Sequence, residues 1–227
     1  MDKFVPEPPL RRIGIVGGAF NPPHRGHLAI ATEMTRFCKL DRVVFIPTAT
    51  PPHKDSTALA PFCQRCAMVE LAVADNPQFS VSAMEGQRSG PSYTVHTIQQ
   101  LRHQLPGAEL FFLMGMDSLL ALPTWRDYTR LFSMCHLVVA RRPGHKDIID
   151  VDALPVAIRK HFCYDSTLKT LSSNSGHQLI FLPHTYMNIS ATAIREMIAA
   201  GEEIDHLVPE AIAEYIKSRN LYTGRER

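Results

Sequence analysis

The chain has 227 residues, of which 45% are hydrophobic and 20% are charged, so it has enough apolar side chains for an ordinary globular core. A formal net charge of +2 is too small to suggest nucleic acid or a membrane surface as a partner, since these normally require a clustered basic stripe. No apolar run approaches the roughly 20 residues that cross a bilayer, and residues 1–10 carry charges and prolines, so we expect a cytoplasmic protein.

Short apolar runs alternate with amphipathic helical patterns along the chain. Several runs are apolar at consecutive positions, which is typical of strands in a parallel sheet that helices cover on both faces. We therefore predict an α/β fold of the doubly wound, Rossmann-like class, with ligands bound at the carboxyl ends of the strands. The predicted strands are Ile13–Val16, Val43–Ile46, Phe79–Ser82, Leu110–Met114, His136–Ala140 and Leu179–Leu182.

The first strand runs into a glycine turn and a helix start. The turn reads Gly17-Gly18-Ala19-Phe20-Asn21-Pro22-Pro23-His24-Arg25-Gly26-His27, and a helical pattern follows from Leu28 to Phe37. Adjacent glycines let a phosphate approach the backbone, and the helix start presents unpaired amides. His24 and His27 can both donate to one anion, whereas the alternative is a helix cap and a surface residue. Neither G-x-G-x-x-G nor G-x-x-x-x-G-K-[ST] occurs, which argues against a dehydrogenase and a P-loop enzyme.

Lys54 lies in the loop after the second strand, where its ammonium can meet a phosphate as a point charge; a solvated lysine is the alternative. The helix predicted next, from Phe62 to Ala74, contains Cys63 and Cys66. No second C-x-x-C and no H-x-x-x-H completes a tetrahedral zinc set, so we predict no protein metal site. An odd number of cysteines indicates reduced thiols.

Three features follow the middle strands. A helix is predicted from Ser92 to Leu105, with a core face formed by Val95, Ile98, Leu101 and Leu105. Asp117 follows Gly115 at the end of the fourth strand, where it either contacts a ligand or caps the next helix, Ser118 to Leu122. Trp125, the only tryptophan, either stacks on a cationic ring or packs in the core.

The segment from Gly144 to His177 has the weakest pattern. We predict a helix around Ala153–Phe162 and then a Ser/Thr-rich loop, Ser166–Ser175. Because the chain contains no internal repeat or clear linker, we expect one domain over residues 1–227. Residues 1–10 form an N-terminal extension and residues 189–227 form a C-terminal helical part.

A second anion site is predicted after the last strand. Ser190, Thr192 and Arg195 open a helix that continues to about Ala200. A serine cap, a threonine hydroxyl and first-turn amides form an anion nest, to which Arg195 adds a permanent charge. The alternative is an ordinary capped helix with a surface arginine.

Taken together, these motifs resemble the H-x-G-H nucleotidyltransferases, and most closely the bacterial nicotinate-nucleotide adenylyltransferases. The resemblance covers nearly the whole chain except residues 1–10 and 144–177. Ala191 stands where many members carry a second serine, so one hydroxyl contact is missing, which backbone amides can replace. The matching segments are the turn Gly17–His27, T-P-P-H-K (50–54), R-S-G-P-S-Y-T (88–94), G-M-D (115–117), T-W (124–125), R-R-P-G (141–144) and I-S-A-T-A-I-R (189–195).

The resemblance implies adjoining sites for ATP and for nicotinate mononucleotide. Trp125 would stack on the nicotinate ring, main-chain amides near Thr94 would bind its carboxylate, and Asp117 would accept hydrogen bonds from ribose hydroxyls. The implied catalytic residues are His24, His27, Lys54 and Arg195. The implied ATP-binding residues are Gly17, Gly18, Ala19, Phe20, Asn21, His24, His27, Gly115, Asp117, Arg141, Ile189, Ser190, Thr192 and Arg195. The implied acceptor-binding residues are Lys54, Ser92, Tyr93, Thr94, Trp125 and Arg126.

The reaction this implies is transfer of the adenylyl group of ATP to nicotinate mononucleotide, giving nicotinate adenine dinucleotide and pyrophosphate in NAD biosynthesis. A phosphate nucleophile needs alignment and charge neutralisation, so direct in-line attack without a covalent intermediate is expected. Mg²⁺ is expected to accompany ATP, held mostly by phosphates and water. The alternatives are an adenylyltransferase for nicotinamide mononucleotide or pantetheine phosphate and a non-catalytic nucleotide sensor. The oligomeric state, a homo-oligomer included, stays open.

Overall fold

The computed structural model describes residues 11–52, 59–140, 154–165, 170–183 and 189–224. The strands in these residues are β1 (Arg12–Gly18), β2 (Arg42–Pro47), β3 (Phe79–Val81), β4 (Glu109–Gly115), β5 (His136–Ala140), β6 (Phe162–Asp165), β7 (Thr170–Ser173) and β8 (Gln178–Phe181). The α-helices are α1 (Arg25–Phe37), α2 (Phe62–Val73), α3 (Thr94–Gln104), α4 (Met116–Ala121), α5 (Tyr128–Leu131), α6 (Val156–Arg159), α7 (Ala191–Ala200) and α8 (Glu210–Ser218). Two 3₁₀ turns lie at Met84–Gln87 and Leu122–Thr124.

One sheet contains all eight strands, in the order β3-β2-β1-β4-β5-β8-β7-β6. The six strands from β3 to β8 in this order are parallel, whereas β7 is antiparallel to β8 and β6 is antiparallel to β7. The chain runs outward from β1 to β3 and then returns to the other side of β1 at β4. This reversal creates a topological switch point between β1 and β4, where ligands bind in open α/β sheets. The predicted doubly wound, Rossmann-like class is confirmed.

The sheet is buried on both faces because side chains of a strand alternate between them. In β4, Leu110 and Phe112 pack on one face, and Phe111 and Leu113 pack on the other. The first face meets α3 and α4 through Val95, Ile98, Leu101 and Leu119. The second face meets α1 and α2 through Ala31, Met34, Val69 and Val73. Burial on both sides explains the consecutive apolar residues of the predicted strands.

A third cluster holds the C-terminal helices against the rest of the fold. Met68 of α2 packs with residues of α7 and α8, among them Ile194, Ile212 and Ile216. The start of α7 lies next to the start of α1, since Ile189 is 3.6 Å from the position that a Cβ at Gly26 would occupy. Among the described residues, we find no helix with the length and apolar content that a bilayer crossing requires.

The prediction for the segment before β8 is wrong in two respects. The helix is the short α6, and Phe162 already begins β6. Residues 170–173, assigned to a loop because of their Ser/Thr content, form β7, in which Leu171 and Ser173 are buried and alternate with partly buried neighbours. Alternation over four polar-rich residues is too short to distinguish a strand from a loop.

Candidate active site

The glycine turn lies at the carboxyl end of β1, beside the switch point. Gly17 and Gly18 are the last residues of β1. Phe20 is buried and has a φ of 48°, a backbone region that bulky residues rarely adopt, so the turn is held in an unusual shape by its surroundings. Its ring packs edge-on against His27 with 5.0 Å between the ring centroids.

The two histidines of the turn lie together at the start of α1. His24 is the N-cap residue, and its ring stacks on that of His27 with centroids 3.7 Å apart. The main-chain N–H of His24 donates to Nδ1 of His27 at 3.2 Å. Because Nδ1 of His27 accepts this bond, the neutral ring carries its proton on Nε2, where it is a donor.

Burial keeps His24 neutral. The side chain is 7% exposed, and desolvation lowers its pKa to about 4. Its Nδ1 is buried without a hydrogen-bond partner among the described residues. A Cβ at Gly26 would lie 3.0 Å from this nitrogen, so glycine is the residue that leaves the His24 ring in place.

The second predicted anion motif lies directly against the first. Nη1 of Arg195 donates to the main-chain oxygen of Asn21 at 2.8 Å, and Nη2 donates to the Thr192 hydroxyl at 3.3 Å. Ile189 lies 3.6 Å from the position that a Gly26 Cβ would occupy. Ser190 occupies the N-cap position of α7 as predicted, but its side chain makes no capping hydrogen bond. Two helix starts and the Arg195 guanidinium therefore converge on one region.

Arg65 is a structural element of the site that the sequence interpretation missed. It is 1% exposed, and its guanidinium donates to main-chain oxygens of three segments. The acceptors are Ala19 in the glycine turn (2.7 Å), Thr48 after β2 (2.8 Å) and Ala60 before α2 (2.9 Å). One buried cation thus fixes the relative positions of three loops around the switch point.

The C-terminal segment also contacts the glycine turn, through Tyr222. Oδ1 of Asn21 accepts hydrogen bonds from the Tyr222 hydroxyl at 2.8 Å and from the Ala60 N–H at 2.9 Å. Burial raises the pKa of the Tyr222 phenol, so it remains a donor. Asn21 is 3% exposed, and the two donors orient its amide. Sequence alone gave no signal for Tyr222, which lies 201 positions from its partner.

A cavity of about 230 Å³ adjoins the turn. It is lined by the first three residues of the turn, Gly17 to Ala19, and by every described residue of the predicted acceptor site, together with apolar side chains of the sheet. The lining includes Ile15, Gly17, Gly18, Ala19, Ile46, Thr48, Glu85, Ser92, Tyr93, Thr94, Thr97, Phe112, Trp125 and Arg126. The phosphate turn and the predicted acceptor residues therefore share one space.

Aromatic and cationic groups form one wall of this cavity. Trp125 is partly buried and packs edge-on against Phe112, with 6.3 Å between the ring centroids. The packing alternative for Trp125 is met in part, because the indole lies at the edge of the core. Stacking on a cationic ring stays a prediction for this residue, which also lines the cavity. The exposed guanidinium of Arg126 lies 5.1 Å from the ring centroid of Tyr93.

The start of α3 also lines the cavity. Thr94 is the first residue of α3 and Tyr93 is its N-cap, without a side-chain capping bond. Ser92 is buried and is tied to the loop after β2, since its N–H donates to the Thr50 oxygen at 2.9 Å and its hydroxyl accepts from the Thr50 N–H at 3.1 Å. The N–H and the hydroxyl of Ser92 are thus hydrogen-bonded within the protein. Thr94, in the first turn of α3, lines the cavity.

The remaining predicted residues lie at the edge of the sheet or outside the described residues. Gly115 is the N-cap of α4, which begins at Met116. The capping alternative for Asp117 is therefore wrong, because Asp117 lies within the first turn as an exposed acidic residue. Lys54 and Arg141 lie outside the described residues. Within the described part of the chain, no group of three His, Cys, Asp or Glu side chains is arranged to hold a metal ion.

Comparisons with known proteins show the family of the chain. Residues 15–197 fit the family model of the cytidylyltransferase-like proteins. The probable nicotinate-nucleotide adenylyltransferase of Syntrophotalea carbinolica is 47% identical over 216 residues, covering 95% of this chain and 99% of the relative. That of Geobacter sulfurreducens is 47% identical over 211 residues, covering 93% and 98%.

Solved structures share the fold. The nicotinic acid mononucleotide adenylyltransferase of Plasmodium falciparum, solved in complex with NaAD, matches with a TM-score of 0.70 at 17% identity, covering 95% of this chain and 98% of that chain. The putative nicotinate-nucleotide adenylyltransferase of Vibrio parahaemolyticus matches with a TM-score of 0.64 at 16% identity and the same coverage.

Proposed function

Because this chain belongs to the cytidylyltransferase-like family, and within it to the nicotinate-nucleotide adenylyltransferases, we propose that it transfers the adenylyl group of ATP to nicotinate mononucleotide. The products are nicotinate adenine dinucleotide and pyrophosphate, and the reaction belongs to NAD biosynthesis.

One observation carries the proposal: Gly17 and Gly18 line the same cavity as Trp125 and Thr94. A mononucleotide whose ring lies between Trp125 and the start of α3 directs its phosphate toward the glycine turn. ATP bound over the same turn brings its α-phosphate to that place. Both reactants therefore meet at the switch point, which supplies the alignment that an in-line displacement requires.

The proposed chemical step is a single displacement at phosphorus. An oxygen of the acceptor phosphate forms a bond to the α-phosphorus of ATP, and the bond from that phosphorus to the oxygen bridging to the β-phosphate breaks. Pyrophosphate leaves with the electron pair. The nucleophile is already an anion, so no general base and no covalent intermediate are needed.

The protein's contribution is stabilisation of negative charge. We assign this to the Nε2 proton of His27, the neutral imidazole of His24, the guanidinium of Arg195 and the amides at the starts of α1 and α7. The geometry that supports the assignment is the contact of Arg195 with Asn21 and the stacking of the two histidines. Lys54 and Arg141 are proposed as further cations from the motif resemblance alone.

Three binding roles complete the proposal. Trp125 stacks on the pyridinium ring, and the Thr94 amide, with Tyr93 and Arg126 beside it, binds the nicotinate carboxylate. Asp117, at the carboxyl end of β4 on the ATP side, binds the ribose hydroxyls. The lining of the cavity and the position of Asp117 at the sheet edge support these roles.

Mg²⁺ is part of the proposal as a companion of ATP. Its ligands would be mostly phosphate oxygens and water. When bound, the ion neutralises charge on the triphosphate.

The proposed setting is a single nucleotidyltransferase domain, residues 1–227, in the cytoplasm. A continuous eight-stranded sheet supports one domain. Five free cysteines support a reducing compartment.

An acceptor screen tests the function. The protein is incubated with ATP and Mg²⁺ and, in turn, nicotinate mononucleotide, nicotinamide mononucleotide or pantetheine phosphate, and pyrophosphate release is measured. We expect the highest kcat/KM with nicotinate mononucleotide. A higher value with pantetheine phosphate would identify that compound as the acceptor. No release of pyrophosphate from ATP with any of the three acceptors, in a protein that binds ATP in a separate binding measurement, would indicate a sensor.

A further inference from the structure

A buried carboxylate lines the acceptor cavity and has no role in the reaction as proposed. Glu85 lies in the 3₁₀ turn Met84–Gln87 and is 7% exposed. It lines the same cavity as Trp125 and Thr94. A carboxylate removed from water needs compensating charge or hydrogen bonds, so its surroundings indicate what it is there to meet.

The two oxygens of Glu85 have different environments. Oε1 accepts a hydrogen bond from the Thr97 hydroxyl and lies 3.5 Å from Nη2 of Arg88. The same Arg88 nitrogen donates to the Thr97 hydroxyl oxygen at 2.6 Å. Oε2 is buried and has no hydrogen-bond partner among the residues that the structure describes. The protein therefore compensates one side of the carboxylate and leaves the other uncompensated.

We infer that Glu85 is a specificity-determining residue that recognises the positive charge of the acceptor's pyridinium ring. The inference rests on the proposed function and deepens it, because it defines the acceptor as a mononucleotide whose glycosylated ring is a cation. The ring edge next to the charged nitrogen is electropositive, and its C–H groups can contact a carboxylate oxygen. The ring face remains available to Trp125. A neutral ring offers Oε2 no compensation for its burial.

The carboxylate of nicotinate is compatible with this arrangement because the two anions have separate partners. Thr97 and Arg88 contact Glu85. Thr94 and Arg126 line the cavity where the nicotinate carboxylate is proposed to bind. Charges then alternate from Arg88 through Glu85 to the ring and its substituent. Removing Glu85 should weaken the attraction for the ring charge, and removing Arg88 should strengthen it.

The test compares two ligands that differ in ring charge alone. One is nicotinate mononucleotide, and the other is the C-nucleoside 5′-monophosphate in which a neutral 3-carboxyphenyl ring replaces the pyridinium. Dissociation constants are measured by calorimetry on the full chain without ATP, so the result does not depend on turnover. Glu85→Gln keeps an acceptor for Thr97 and removes the charge. Glu109→Gln is the control with the same change in net charge, because the carboxylate of Glu109, at the start of β4, pairs with Arg12.

We expect Glu85→Gln to lower the preference for nicotinate mononucleotide over the phenyl analogue by about tenfold, through weaker binding of the cationic ligand alone. Arg88→Gln should raise the preference a few-fold, and Glu109→Gln should leave it unchanged. Equal loss of affinity for both ligands in Glu85→Gln would overturn the inference and make Glu85 structural. If that variant does not fold, an unchanged or lowered preference in Arg88→Gln overturns it. Failure of the proposed function is a separate result, namely no pyrophosphate release from ATP with any pyridine mononucleotide.

Discussion

Nη1 of Arg195 donates a hydrogen bond to the main-chain oxygen of Asn21 at 2.8 Å, although the two residues are 174 positions apart. The contact ties the motif that opens α7 to the turn that follows β1. Nη1 of the guanidinium is therefore paired within the protein, and Nη2 donates to the Thr192 hydroxyl at 3.3 Å. The forked donor is thus fixed by main-chain and side-chain contacts before any ligand arrives, which reduces the ordering cost of binding an anion.

The first prediction concerns this fork. Arg195→Lys keeps the charge but cannot make two directed contacts and also bind a phosphate, so we expect kcat/KM for ATP to fall by about tenfold or more. Steady-state kinetics of pyrophosphate release measures the effect. Arg219→Lys, at the exposed end of α8, is the matched control. Wild-type kinetics in Arg195→Lys would show that Arg195 serves only the contact with Asn21.

The second prediction concerns His27. Because its Nδ1 accepts from the His24 N–H, its Nε2 proton is directed elsewhere, and we propose that it meets the phosphate charge that develops during transfer. We expect His27→Ala to lower kcat by about 100-fold with a much smaller change in KM. Circular dichroism checks that the variant is folded, and the exposed His206→Ala serves as the control. A folded His27→Ala protein with near-normal turnover would remove His27 from the catalytic group.

The third prediction concerns Tyr222, which orients Asn21 by a hydrogen bond of 2.8 Å. Tyr222→Phe removes only this hydroxyl, and we expect kcat/KM for ATP to fall about three- to tenfold. The free energy of unfolding should change by no more than about 1 kcal/mol. The partly buried Tyr215→Phe controls for loss of a phenol on the neighbouring helix. If both variants lose activity equally, the effect comes from the C-terminal segment in general.

The sequence was sufficient for the parts of the fold and the site that are local. Apolar runs located six strands, and the glycine turn and the Ser190 motif located two helix starts. It was insufficient where burial depends on distant segments. Arg65 lies in a helix between polar and apolar residues and has no local sign that three loops surround its guanidinium. Tyr222 is of the same kind, because its partner Asn21 becomes a neighbour only after the chain has folded.

The fourth prediction concerns acid stability. His136 begins β5, and its Nδ1 accepts a hydrogen bond from the Gln178 N–H at 3.1 Å. Burial, with a smaller contribution from His177 and Arg12, lowers its pKa to about 4. In the unfolded chain the imidazole binds a proton near pH 6.5, so between pH 6.5 and about 4 the unfolded state holds more protons and stability falls as pH falls.

Urea unfolding at pH 7.5, 6.5, 5.5 and 4.5 measures this loss. His136→Asn keeps a side-chain acceptor that does not titrate, so the difference in unfolding free energy between wild type and variant should shrink as the pH is lowered through this window. Carboxyl groups titrate alike in both proteins and cancel in the difference. A difference that is independent of pH would show that His136 titrates normally in the folded protein.

The last prediction concerns the choice between nicotinate and nicotinamide mononucleotide. A nicotinate carboxylate at the start of α3 receives charge-assisted hydrogen bonds, whereas a carboxamide is a weaker acceptor and brings an NH₂ group toward donors. Thr94 is the first residue of α3, where proline is tolerated, and Tyr93 has φ −82° and ψ 128°, a conformation that a following proline allows. Thr94→Pro therefore removes one amide donor and leaves the helix intact. We expect it to reduce the preference for nicotinate, measured as the ratio of kcat/KM values, by about tenfold or more.

Trp125→Ala should lower kcat/KM for both acceptors alike, because stacking depends on the ring and not on its substituent. The two variants together separate recognition of the ring from recognition of the carboxylate. If the ratio of kcat/KM values changes in Trp125→Ala and stays constant in Thr94→Pro, the discrimination depends on Trp125 and the prediction for the start of α3 is wrong.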